Sequence, residues 1–131
     1  MPLRLCGSTS GEGSDVTAKR VILEMGTGND LHGGDYTKAA VRAVQDAIHH
    51  SSLTLIRTLG LDLRKMHVEV TIGVQYPEKV DAAVVKNTLP HGEVSVRVVK
   101  GGLDVPDEEA GDLAVIANAA VAVRFELPQA Q

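Results

Sequence analysis

The segment MHVEVTIGV, residues 66–74, alternates between apolar and polar side chains along its length. Such alternation is typical of a β-strand that has one face in the core and the other face outside it. The segment therefore predicts a sheet with one apolar face, against which the rest of the chain must pack. The apolar set is Val68, Val70, Ile72 and Val74, and the polar set is His67, Glu69 and Thr71.

Two helices are predicted to supply that packing. Asp35 is a favourable N-cap for a first helix, which apolar residues at helical spacing continue to about Leu59, where Gly60 stops it. Pro77 suits the first turn of a second helix, PEKVDAAVVKNTL, which Pro90 and Gly92 end.

Three more strands complete the predicted sheet. RVILEMG holds a short apolar run bounded by Gly26, as in a strand covered on both faces. EVSVRVV alternates again, and LAVIANAAVAVRFEL is apolar on both faces except at Asn118. Between these last two strands, GGLDVPDEEAGD is predicted to be a loop.

The order β-α-β-α-β-β predicts an α+β fold in one domain, with a four-stranded mixed sheet and two helices on one of its faces. Residues 20–127 form this domain. Residues 1–19, rich in Gly, Ser and Thr, are predicted to be a flexible extension, and residues 128–131 a C-terminal tail.

The face of the sheet without helices is predicted to be a subunit interface. It carries Glu69, Thr71 and Arg97 beside one apolar side of the last strand. The chain has no Trp and only three aromatic residues, so each residue buries little area, and oligomerisation can supply the missing burial. We expect self-association in a cyclic assembly.

Charge and composition exclude several classes of partner. The formal net charge is −4 with acids and bases interspersed, which argues against nucleic acid or an anionic membrane. The single cysteine, Cys6, fits a reducing compartment, and no apolar run is long enough for a membrane span or a signal peptide. We therefore expect a cytoplasmic protein.

The turn EMGTGNDLHGGDYTKAA, residues 24–40, collects most of the groups capable of chemistry. Its glycines, Gly28 among them, allow close approach of a ligand, and the following helix start favours an anion. Asp35 is explained by capping, whereas Asp30, His32 and Lys38 are left over and form the candidate site. The alternative is a plain glycine-rich connection. Because Lys38 does not follow the Walker spacing and no dinucleotide fingerprint is present, no cofactor is predicted.

The exposed stripe of the first helix offers a cationic wall beside this turn. Lys38 and Arg42 are four residues apart and share a face with His49. The alternative is an ordinary solvated face with i,i+4 pairs. His49 and His50 point about 100° apart on a helix and cannot easily share one metal ion, so no metal site is predicted.

On the sheet, Glu69, Arg97 and Asn118 are the remaining candidates. Glu69 and Arg97 could form a cross-strand ion pair, or bind and protonate a substrate at the subunit boundary. Asn118, alone in an apolar strand, is expected to bond backbone, a ligand or a neighbouring subunit.

Two resemblances accompany these patterns. The element order resembles the fold of the Bacillus-type chorismate mutases and the YjgF-like proteins, which form homotrimers with ligand pockets between subunits; this implies a homotrimer here. VILEMGTGNDLHGGDYTKAAVRAVQDAIHHSSL, MHVEVTIGV, VKGGLDV and VIANAAVAV resemble a small conserved-hypothetical family of bacteria and plants with the locus tag Lin, over about residues 20–126. That family implies no activity.

Two functions follow as hypotheses. In the first, a trimeric enzyme acts on a small anionic metabolite by C–N hydrolysis, deamination or proton transfer. Asp30, His32 and Glu69 would be catalytic. The ligand-binding set would be Gly28, Asp35, Lys38, Arg42, Arg97 and Asn118. In the second, the same groups serve a non-catalytic binding or assembly protein.

Overall fold

A computed structural model describes residues 18–49, 60, 65–89 and 92–126 of the chain. The predicted N-terminal extension up to residue 17, the end of the first helix near Leu59, His50 and the C-terminal tail lie outside the described residues. The elements are β1 (Ala18–Asp30), α1 (Tyr36–His49), β2 (Met66–Val74), a 3-10 turn (Pro77–Lys79), α2 (Ala82–Lys86), β3 (Glu93–Lys100), β4 (Leu103–Asp107) and β5 (Asp112–Glu126).

The strands form a mixed sheet in the order β1-β5-β2-β3, and β4 also pairs with β5. β2 and β3 run parallel, whereas β5 is antiparallel to β1, β2 and β4. The fold is therefore α+β, as the element order predicts. The sheet has five strands rather than the predicted four. The fifth is β4, which lies within the predicted loop and pairs with residues 112–116 in a hairpin.

β1 is longer than predicted and is covered on one face only. It spans Ala18–Asp30, and its burial alternates along residues 22–30. Ile22 and Asp30 are buried, whereas Leu23 and Met25 between them are exposed. Within one chain the strand is not covered on both faces, because the apolar run Val21–Leu23 is part of an alternating strand whose inner positions continue as glycines.

These inner glycines let α1 lie directly on β1. A Cβ atom at Gly26 would come 2.4 Å from the backbone nitrogen of Ala47, and one at Gly28 would come 2.2 Å from that of Ala43. Both distances are far below van der Waals contact. α1 meets the strand with Ala39, Ala43 and Ala47, all fully buried, so small residues on both elements form a close helix–strand seam.

The predicted second helix is instead two short elements. A 3-10 turn spans Pro77–Lys79, and α2 spans only Ala82–Lys86. Val80 between them is extended, with φ −95° and ψ 128°. The Asp81 carboxylate accepts a hydrogen bond from Ala83 N at 3.1 Å, which starts a new helix there.

Both helices lie on one face of the sheet, and the core fills the space between the helices and the sheet. The alternating residues of β2 predicted to be apolar, and Val94 of β3, point into this core. The opposite, helix-free face carries the outward residues of every strand. Across residues 18–49, 60, 65–89 and 92–126, no helix is long and apolar enough to cross a membrane.

Candidate functional site

Asp35 begins α1 as its N-cap. Its Oδ1 atom accepts a hydrogen bond from Lys38 N at 3.0 Å, and its carbonyl oxygen accepts one from Ala39 N at 3.1 Å. Both bonds satisfy amide groups that a helix start otherwise leaves without partners. Asp35 therefore has a structural role at the position where the sequence predicts it.

Asp30 is a buried carboxylate at the end of β1, with an exposed fraction of 5%. Its Oδ2 atom accepts a hydrogen bond from Asp35 N at 2.8 Å. Lys38 Nζ and Arg42 Nη1 lie 3.9 and 3.8 Å from its Oδ1 atom. Two cations and one amide thus compensate the buried negative charge. The predicted candidates Asp30, Lys38 and Arg42 do come together, but as an ion-pair cluster within the chain.

Arg42 makes a second contact, because its Nη1 atom also donates to the carbonyl oxygen of Asn29 at 2.7 Å. On the next turn of the helix, Asp46 Oδ2 accepts a hydrogen bond from Thr27 N at 3.0 Å. The stripe of α1 predicted to be a cationic wall therefore runs along β1. Side chains of this part of α1 bond backbone groups of β1 and the carboxylate of Asp30, the last residue of that strand.

His32 lies on the same turn but bonds a different partner. Its Nδ1 atom is 2.8 Å from Asp112 Oδ2, while Gly33 N and Leu113 N donate to Asp112 Oδ1, each at 2.8 Å. The hydrogen bond from Gly33, then those from His32 and Leu113, lower the pKa of Asp112 from 3.8 to about 2. The His32 side chain is 87% exposed, so the pair lies open to solvent.

The glycines of the turn serve two different purposes. Gly33 and Gly34 have positive φ angles of 93° and 64°, which a tight turn requires. Gly28 instead faces the backbone of α1, as described above, and that side of it has no room for a ligand. The predicted close approach of a ligand to Gly28 is replaced by close approach of a helix.

On the helix-free face, Glu69 pairs with Arg124 rather than with Arg97. Arg124 Nε donates to Glu69 Oε1 at 3.0 Å. This follows from the sheet order, because β5 lies beside β2 and places Arg124 diagonally from Glu69, which is opposite Ala122. Among the residues that the structure describes, Arg97 has no hydrogen-bond or ion-pair partner, and it is exposed.

Arg97 lines a groove of about 270 Å³ between β2 and β3. The parallel register places Arg97 beside Thr71, and Ser95 beside Glu69. An unpaired guanidinium, two hydroxyls and a carboxylate therefore converge on one surface. The lining residues are Glu69, Val70, Thr71, Ser95 and Arg97.

Asn118 bonds the backbone, one of the three outcomes expected for it. Its Oδ1 atom accepts a hydrogen bond from Gly102 N at 3.1 Å, at the turn where the chain leaves β3 and enters β4. Asn118 is exposed, and with Met25, Thr27 and Asp46 it also lines a cavity of about 290 Å³. Its first role is to hold the β3–β4 connection.

Sequence reasoning misses a second cluster, which contains both tyrosines of the chain. The hydroxyl of Tyr36 donates to Asp104 Oδ2, and the Tyr36 ring meets the Tyr76 ring edge to face at 5.9 Å. Lys79 Nζ lies over both rings. The alternation of Leu103, Asp104 and Val105 is the available signal, since it indicates a strand with Asp104 facing inward.

No metal centre can be built from the described part of the chain, because no three His, Cys, Asp or Glu side chains there are grouped suitably to hold an ion. His49, one of the histidines considered for such a site, ends α1.

Comparison with known proteins gives two findings. A family model described as a conserved hypothetical protein (Lin0512_fam) matches residues 20–123. The crystal structure of an FtsZ-like protein of unknown function from Nostoc punctiforme is similar, with a TM-score of 0.74 and 39% sequence identity. The alignment covers 86% of this chain and 99% of that one. Among curated proteins, no relative matches the chain.

Proposed function

The chain belongs to the Lin0512 family of conserved hypothetical proteins, and we propose that it is a self-associating protein that binds a small anionic metabolite in the groove beside Arg97. Neither the family nor the similar Nostoc protein carries a known activity or ligand. The proposal therefore rests on the chemistry of the site itself.

The observation that carries the proposal is the unpaired guanidinium of Arg97 in a polar groove. Arginine presents a planar fork of donors that matches a carboxylate or a phosphate in two parallel hydrogen bonds. The hydroxyls of Thr71 and Ser95 lie in the same groove and can donate to further oxygen atoms. Because Arg124 offsets the charge of Glu69, the carboxylate there does not cancel the attraction of Arg97 for an anion.

Exposed apolar residues on the same face of the sheet as this groove support self-association. Leu23 and Met25 of β1 are 45% and 67% exposed, and Leu103 and Val105 of β4 are 53% and 47% exposed. The register places all of them on the helix-free face with the outward residues of β5. A second copy on this face would remove that apolar area from water and lower the dielectric constant around Arg97, which strengthens anion binding.

We further propose that the fold is of the Bacillus chorismate mutase-like type and that the assembly is a homotrimer. In support, the order β1-β5-β2-β3 keeps the predicted β-α-β-α-β-β core, to which β4 is added within the β3–β5 connection. The proteins with the resembling element order assemble as trimers with ligand pockets between subunits, which would place the Arg97 groove at a boundary.

Proton transfer in the same groove is a second candidate function. It is favoured by the position of Glu69, which lines the groove with Arg97 and so would lie against a bound anion. A ligand that takes over Arg124 would release the Glu69 carboxylate to act as a base. Asp30 and His32 already have partners within the chain and are less suited to this role.

Thermal-shift screening of the full chain against carboxylates and phosphates tests the binding proposal. We expect at least one small anion to raise the melting temperature of the wild type, and Arg97→Gln to abolish that shift. Lys86→Gln is the matched control, because it removes one exposed positive charge on α2, away from the groove. Shifts that survive in Arg97→Gln, or an absence of any anion-dependent shift, would overturn the proposal.

A further inference from the structure

Lys79 rests its ammonium group on the protein's two tyrosine rings. The Nζ atom lies 5.6 Å from the centroid of Tyr36 and 5.1 Å from that of Tyr76. The rings meet at 78° and so present two walls of one corner. Distances below about 6 Å are those at which an ammonium ion is attracted by an aromatic face. The corner already accommodates an alkylammonium group.

Beside the corner, the carboxylate of Asp104 is only half satisfied. Its Oδ2 atom accepts the Tyr36 hydroxyl, whereas its Oδ1 atom is buried without a hydrogen-bond partner among the described residues. A carboxylate can accept about four hydrogen bonds, and a buried oxygen without a donor costs free energy. Asp104 therefore brings a negative charge to the Tyr36 side of the corner, and one bond from the Tyr36 hydroxyl offsets it only in part.

The hydroxyl of Tyr36 keeps its proton beside Asp104. Burial, followed by the hydrogen bond and the charge of Asp104, raises the pKa of Tyr36 well above its usual value. Tyr36 therefore remains a neutral hydrogen-bond donor to Asp104. The corner thus combines two aromatic faces with one anion, which is the composition of sites that bind organic cations.

We propose that Tyr36, Tyr76 and Asp104 form a binding site for an organic ammonium ion, and that Lys79 occupies this site in the absence of the ligand. The side chain of Lys79 stands in for the ligand, and its exposed, flexible stem lets it leave. A ligand ammonium then lies on both rings, as Lys79 Nζ does, beside the negative charge of Asp104. Tyr76, 49% exposed, forms the open side of the site.

This site is independent of the Arg97 groove in position and in charge. Asp104 is paired with Val115, a fully buried residue, and so lies on the helix-covered side of the sheet, whereas Arg97 lies on the helix-free face. The corner attracts cations and the groove attracts anions. Success or failure of either proposal therefore leaves the other unaffected.

Tyrosine fluorescence of the full chain gives a direct test, because the protein has two tyrosines and no tryptophan, and both tyrosines line the corner. We titrate with butylammonium chloride and with tetramethylammonium chloride, against sodium chloride at equal ionic strength. We expect a saturable change with the organic cations and no saturable change with sodium chloride. Lys79→Met keeps an apolar stem without the competing charge, and we expect it to bind the organic cations several-fold more tightly.

Two further variants and a control complete the experiment. Tyr76→Leu removes the exposed ring of the corner, and Asp104→Asn removes its negative charge. Each is expected, when combined with Lys79→Met, to abolish the tighter binding of organic cations. Lys86 is another exposed lysine and lies on α2; Lys86→Met is expected to behave as the wild type. Circular dichroism confirms that each variant folds; if Asp104→Asn does not, the half-exposed Tyr76 decides. Equal responses to sodium and organic cations, no gain in Lys79→Met, or binding that survives Tyr76→Leu would each overturn the proposal.

Discussion

Asp30, Asp35 and His32 lie within six positions of one another, yet Asp30 and Asp35 bond residues at the start of α1 whereas His32 bonds Asp112 at the start of β5. Asp35 caps α1, which its local position in the sequence predicts, because a cap depends only on the next three residues. The partner of His32, by contrast, is Asp112, 80 positions away. No local pattern could reveal that contact, since it depends on where β5 begins in the finished sheet.

The same limit explains the partner of Glu69. The sequence offers Arg97 as an ion-pair partner, because β2 and β3 both alternate and both carry charge outward. β2 has two neighbours, however, and the pairing of β5 places Arg124 within 3.0 Å of Glu69. Which neighbour supplies the partner is decided by rotamer and register, and this leaves Arg97 unpaired for a ligand.

Asp112 makes a residue-scale prediction about pH. Its pKa is lowered from 3.8 to about 2 by three hydrogen bonds in the folded chain. The charged form is therefore stabilised by folding, and this contribution is present above about pH 4 and is lost as the pH falls towards 2. Asp112→Asn keeps an oxygen that can accept from Gly33 and Leu113 but removes the charge. We expect its stability to depend less on pH in this range.

Urea denaturation at a series of pH values between about 7 and 2 measures the effect. This interval of about five pH units spans the titration of Asp112. Glu108→Gln serves as the control, because it removes an exposed carboxylate from the same β4–β5 hairpin. Equal loss of stability with acid in the wild type and in Asp112→Asn would contradict the role of this carboxylate.

At the scale of elements, the period of the side chains predicts what the backbone does where that period is long and regular. Alternation alone predicts β2 and β3 within a residue or two. For β4 the alternation covers only Leu103, Asp104 and Val105, and the proline and two aspartates among its five residues favour a loop when read locally. The predicted second helix is too long because the apolar spacing continues through Val80, whose extended backbone separates the 3-10 turn from α2.

The seam between β1 and α1 makes the prediction at this scale. In Gly28→Ala, the added methyl would lie 2.2 Å from Ala43 N and 2.4 Å from Ala39 O, both of them backbone atoms that cannot rotate away. The helix must shift from the strand, and we expect a loss of at least about 1–3 kcal/mol, the usual cost of overpacking.

The matched control is Thr27→Ala, an alanine at the next position of the same strand on its exposed side. It is expected to change the free energy of unfolding by no more than about 0.5 kcal/mol. The midpoint of urea denaturation compares the two variants. If Gly28→Ala were no less stable than Thr27→Ala, the seam would not depend on the absence of a side chain.

For the molecule as a whole, the two faces of the sheet differ in how far their apolar side chains are buried. The helix-covered face buries valine, isoleucine and alanine side chains against α1 and α2. The helix-free face, which also carries the polar groove, leaves Leu23, Met25, Leu103 and Val105 exposed. Composition and the helix count predict this asymmetry from the sequence, whereas the extra apolar area on β4 is evident only once the fifth strand is known.

Self-association through the helix-free face can be tested with one substitution. Met25→Glu places a charge on a side chain that is 67% exposed in the single chain and would be buried between copies. A charge without a partner in an apolar interface is strongly unfavourable, so the variant is expected to dissociate. Val84→Glu, at an exposed apolar residue of α2 away from this face, is expected to leave the assembly intact.

Light scattering coupled to size exclusion measures this claim most directly. We expect a wild-type mass of three times the 13.8 kDa of one chain, unchanged in Val84→Glu and reduced to a single chain in Met25→Glu. A wild type that elutes with the mass of one chain at every concentration, or a Met25→Glu variant with the wild-type mass, would contradict self-association through this face.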